Sequence, residues 1–126
     1  MIRAGSLVTG IAAVHCVAGV ALAPAPLGAI FTNGVIGAID PHVDRIAIFW
    51  FMFFGLLMLV LGEALRVWES TATVPANVGY AFGALSLVGA IAMPVSGFWL
   101  GLVPAALIVV RSPRVDEASV LRTNIG

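Results

Sequence analysis

The sequence predicts an all-α fold, an integral membrane bundle of four transmembrane helices with a short interfacial or re-entrant segment after the first. Three observations predict it. Apolar residues make up 61% of the 126 and charged residues only 10%, where a soluble domain carries about a quarter charged. The mean hydropathy is +1.12, and the apolar residues gather into blocks with almost no charge inside them. A bilayer crossing needs roughly 20 apolar residues, so three or four spans with short loops fill residues 1–110 as one domain. Residues 111–126 are charged and polar and read as a mobile tail beyond Pro113.

The first span covers residues 5–23, with Arg3 before it and Pro24 and Pro26 ending it. Arg3, the apolar stretch and Ala21-Leu22-Ala23 imitate a secretory signal, but a proline after the cut blocks cleavage, so the block is expected to stay as a helix. Residues 27–39 are apolar but too short to cross, and Gly28, Gly34 and Gly37 loosen them into a re-entrant or surface-lying turn. Asp40-Pro41 then reads as an N-cap and first-turn proline, with Asp44 at the positive end of the helix dipole. The second span, 46–65, carries Phe49-Trp50-Phe51 near one end and Glu63 and Arg66 near the other. A polar link at 67–77 closes on Pro75, and the third span follows at 77–93. Met93-Pro94-Val95-Ser96-Gly97 breaks the chain, and 95–110 makes the fourth span, bent at Pro104.

With four spans, Arg3, Arg66, Arg111, Arg114 and Arg122 share one face and only Arg45 lies opposite. Cytoplasmic loops carry the positive excess, which puts both termini in the cytoplasm of a bacterial inner membrane. Trp50 and Trp99 then lie near the outer interface and Trp68 near the inner one, where amphipathic rings prefer to sit. The lipid bilayer is the first partner. Scattered arginines and zero net charge exclude nucleic acid, and the single Cys16 excludes an intrachain disulfide.

Helices in lipid associate through small residues and a few polar contacts, so Gly55, Gly62, Gly79, Gly83, Gly97 and Gly101 are expected at helix contacts. Most of this packing is assigned within the chain, leaving a homo-oligomer or another membrane protein as a further partner. His15 lies near the middle of the first span, where an ionisable side chain is costly and needs a named partner. Ser86 reaches a similar depth, and Cys16 points about 100° away. The leading reading of His15 is polar glue between helices; a haem or metal ligand and a proton-handling group are the alternatives. Glu63 can pair with Arg66 three residues on, with Tyr80 and Asn77 at similar depth, as a clamp at a helix end. Contact between His15 and Glu63 is not expected, because their depths differ. Asp40, His42 and Asp44 are weak metal candidates, since the helix-start pattern already explains the two aspartates. Met58 and Met93 read as packing residues.

No GxSxG elbow, HExxH, CxxC, P-loop or dinucleotide fingerprint occurs. The chain resembles a domain-of-unknown-function family of small four-helix bacterial integral membrane proteins. The resemblance rests on Gly5 and His15, on Phe49-Trp50-Phe51 with Gly55 and Leu61-Gly62, and on Met93-Pro94-Val95-Ser96-Gly97-Phe98-Trp99-Leu100. It implies a fold and a membrane location but no activity and no assigned residues. Small multidrug-resistance transporters are of similar size, yet their first-helix glutamate has only His15 as a counterpart. Small haem-containing membrane isomerases hold haem through a helix histidine, which His15 imitates by position alone. The expectation is therefore a non-enzymatic accessory or interaction protein without a cofactor. A haem-binding protein using His15, or a proton-coupled transporter using His15 and Glu63, is the alternative.

Overall fold

Prolines and glycines cut the described residues into five helices, α1 (Ala4–Leu22), α2 (Pro24–Thr32), α3 (Val43–Thr71), α4 (Ala76–Ala92) and α5 (Phe98–Arg111). They come from a computed structural model that describes residues 1–113, so the tail expected beyond them lies outside the described residues. No strand is present among the described residues. α1 and α3, of 19 and 29 residues, are long and apolar enough to cross a membrane; α4 and α5 are shorter apolar helices.

Several boundaries differ from those expected. Pro24 does not only end α1. It opens α2, where a first-turn proline lacks no needed N–H. α2 packs against α3 and α1, and the chain then reverses through Gly34 and Gly37, both at positive φ, with Val35 between them at φ 63°. Asp40-Pro41 does not start α3. The His42 N–H instead closes a turn on the Ile39 carbonyl at 3.0 Å, so the helix begins at Val43 without a side-chain cap, and Asp44 sits in its first turn. Arg45 ties this turn to α3 by donating to the Ala38 carbonyl at 2.7 Å. At its other end α3 runs on to Thr71, about one and a half turns into the stretch expected as a link. α5 begins only at Phe98, because the Pro94–Gly97 segment is a turn in which the Leu100 N–H bonds the Gly97 carbonyl at 3.0 Å.

Two antiparallel pairs organise the molecule. α1 packs along α3 and α4 along α5, and the pairs join where α1 meets α5; α3 and α4 are not neighbours. The neighbour order is thus α3, α1, α5, α4. On α1, Gly5, Ala12 and Gly19 recur every seven residues, as do Ile48, Gly55, Gly62 and Glu69 on α3. A seven-residue repeat holds one stripe toward a partner along the whole contact. A Cβ on Gly5 would stand 2.5 Å from the Arg66 nitrogen, one on Gly62 2.7 Å from the Thr9 nitrogen, and one on Gly55 2.6 Å from Cys16 Sγ. Such distances mean that the backbones themselves meet, which only small residues allow. The second seam is built the same way, with Gly79 against Val109 and Ala105, Gly83 against Ala105, and Gly101 against Ser86. Ala4, Val8, Leu65, Val74 and Ile108 form the buried apolar cluster at one end, where α1, α3 and α5 converge.

Candidate functional site

Helix α1 carries His15 to the face that meets α3. Its Nε2 lies 2.9 Å from the Phe51 carbonyl, and because a carbonyl only accepts, Nε2 is the donor of this bond. The imidazole stacks on Phe51 with centroids 3.8 Å apart and meets Phe54 edge-on at 5.8 Å. Phe54 in turn lies 6.5 Å from Phe98, and Phe98 fits against Gly89, where a Cβ would stand 2.5 Å from its ring. One aromatic cluster therefore touches α1, α3, α5 and α4. Gly55 makes it sterically feasible, since a Cβ there would stand 2.9 Å from the His15 ring.

The other proposed partners of this site lie elsewhere. Ser86 is buried in the α4–α5 seam against Gly101, and α4 is not a neighbour of α1, so Ser86 does not reach His15. Glu63 bonds Arg66 at 2.8 Å, with both side chains about half exposed. Tyr80 is 65% exposed on α4 and Asn77 bonds the Val78 N–H at 3.0 Å; neither closes on Glu63, because α3 and α4 do not pack. Glu63 and the Phe51 carbonyl are twelve residues apart on α3, about 18 Å at 1.5 Å per residue, so Glu63 and His15 stand far apart. Asp40, His42 and Asp44 do not gather with one another, and no group of three metal-ligating side chains occurs among the described residues. Gly97 stands in open space, with nothing within 4 Å of an added Cβ, and is no packing residue.

A second polar site forms where the ends of α1, α3 and α5 meet. The Glu69 carboxylate accepts from the Ala4 N–H at 2.9 Å and from the Gly5 N–H at 3.0 Å. A residue 65 positions away thus caps α1, answering two first-turn amides with a charge that suits the positive end of the helix. Arg111 donates to the Ile2 carbonyl from the end of α5. Arg3, Glu69 and Arg111 border a cleft of about 390 Å³ lined also by Val74 and Ile108. The polar link expected at 67–77 leaves Glu69 off the helix, whereas the seven-residue step from Gly62 to Glu69 is the sequence signal that places it on the seam.

Residues 2–115 match the family model described as a family of unknown function, DUF6463. The chain belongs to that family. No curated protein and no solved structure matches it. Some of the residues that carry the resemblance meet in this DUF6463 member. His15, Phe51, Gly55 and Phe98 make the aromatic cluster, while Gly5 and Gly62 meet at the closest approach of α1 and α3.

Proposed function

We propose that this protein is a four-span membrane accessory protein of the bacterial cytoplasmic membrane, with both termini cytoplasmic, that acts by lateral association rather than by chemistry. The carrying observation is where the polar groups on the apolar helices go. His15 is held by a helix carbonyl, Ser86 is packed in the other seam, and Glu63 is paired with Arg66. Each is engaged in a separate internal contact, so they do not converge on a substrate or line one proton path. What the molecule offers outward is the free side of its two edge helices, with Trp50, Leu57 and Val60 on α3 and Leu85, Val88 and Ile91 on α4 exposed. The alternating direction of α1, α3, α4 and α5 supports the topology, because it gathers Arg3, Arg66 and Arg111 at one end and leaves Arg45 at the other.

A haem-binding reading requires Nε2 of His15 to leave the Phe51 carbonyl, and a His15–Glu63 proton relay has to bridge about 18 Å. Both are disfavoured by the geometry. Reporter fusions within 33–40, 72–75 and 94–97 test the topology, and a cytoplasmic signal from 94–97 would overturn the four-span order. Photo-crosslinkers at Val60 and Leu85 test association in native membranes. Adducts to protein at either position are expected, and adducts to lipid alone at both would overturn the accessory role.

A further inference from the structure

We propose that the cleft bordered by Arg3, Glu69, Thr73 and Arg111 binds the phosphate of an anionic phospholipid; this rests on the membrane reading above. The cleft has two parts of opposite character. Val74 and Ile108 in its lining belong to the buried apolar cluster, and Arg3, Thr73 and Arg111 line it as well. That is the pattern of an amphipathic ligand, with an apolar stem against the one part and an anionic head at the other.

Charge decides the sign of the head. Glu69 is the one acid of the lining, and its two oxygens already face the Ala4 and Gly5 amides at the positive end of α1. These amides are neutral, so Glu69 keeps its charge, and the two arginines Arg3 and Arg111 outnumber the one carboxylate in the lining. Arg111 is also held in place, since one of its five N–H donors is bonded to the Ile2 carbonyl, and a fixed planar guanidinium presents paired donors to phosphate oxygens. Arg3 stands exposed at the N-cap of α1, its carbonyl accepting from the Leu7 N–H at 3.2 Å while its side chain bonds no other described residue. The cleft opens at the end of the helices, level with the half-exposed Trp68. Under the proposed topology this is the cytoplasmic headgroup level, where basic pockets between helices take acidic lipids.

The full-length protein is first floated with phosphatidylcholine vesicles. Failure to float would overturn the membrane reading itself. Detergent-solubilised protein is then titrated with phosphatidylglycerol, phosphatidylcholine or inorganic phosphate, and lipid retention is read by native mass spectrometry beside the thermal midpoint. Phosphatidylglycerol is expected to bind in preference to phosphatidylcholine. Each of Arg3→Gln and Arg111→Gln should weaken it about five-fold, and the double variant about 25-fold. Arg45→Gln, at the far end, should leave binding unchanged. Equal binding of both lipids, or equal affinity in Arg3→Gln and Arg45→Gln, would overturn the site; the Arg3 variant decides if Arg111→Gln fails to fold. Protection by inorganic phosphate equal to that by phosphatidylglycerol would make the site a soluble-anion site and overturn the lipid assignment.

Discussion

The two helix seams meet the same steric demand with different chemistry. Both bring backbones into contact over glycines, yet the α1–α3 seam adds polar bonds at two levels, the Glu69 cap at one end and the His15 bond to Phe51 further along. The α4–α5 seam relies on shape, with Ser86 against Gly101 and Phe98 against Gly89. Under the proposed membrane location there is no hydrophobic drive to hold helices together, so packing and hydrogen bonds carry the association. The polar bonds fix the register of α1 on α3 as well as their contact, while α4 and α5 are held mainly by contact.

The largest expected effect lies in the backbone contacts. Gly62→Ala places a methyl 2.7 Å from the Thr9 nitrogen and 3.1 Å from the Gly5 carbonyl, neither of which can rotate away. A loss of about 2–3 kcal/mol is expected even after the gain in helix propensity, read by denaturation of the detergent-solubilised protein. Gly83→Ala in the other seam meets only the Ala105 methyl at 3.3 Å and should cost less; equal losses would erase the distinction drawn between close backbone contact and ordinary packing. Glu69→Ala should cost about 1–2 kcal/mol, the range for losing a helix cap. It should also speed amide exchange at Ala4 and Gly5 selectively, and unchanged exchange there would remove the cap.

His15→Phe sharpens the comparison further, because it keeps a ring against Phe51 and removes only the donor. About 0.6 kcal/mol is expected, the average for hydrogen bonds between membrane helices. A loss several-fold larger, or a visible absorption band present in the wild type and absent in this variant, would show that His15 does more than join helices. The smallest effect belongs to Gly97→Ala. Gly97 has φ −75° and open space around it, so a change within about 0.5 kcal/mol is expected. A large loss would mean that the Pro94–Gly97 turn packs against something beyond the described residues.

Much of the helical pattern was legible in the sequence. The limits of α1 and α4 follow from proline and arginine punctuation to within a residue, and the pairing of Glu63 with Arg66 follows from three-residue spacing. Two signals mislead. Polarity at 67–77 reads as a link, which leaves Glu69 and Thr71 off the helix, although a helix emerging at a polar end keeps its backbone bonds as readily as one in apolar surroundings. Pro24 reads only as a terminator, although its missing N–H suits a helix start equally well.

Composition and periodicity alone determined that this chain is helical, apolar and built on glycine-mediated contacts, because these are properties of each segment by itself. Partner choice was decided by tertiary structure. Whether His15 meets Ser86 or a Phe51 carbonyl, whether Tyr80 reaches Glu63, and whether Glu69 caps a helix 65 residues away depend on which helices are neighbours. Four apolar helices can be ordered in several ways, because burial of apolar area has no direction. Only the fit of particular glycines to particular backbones selects the order α3, α1, α5, α4.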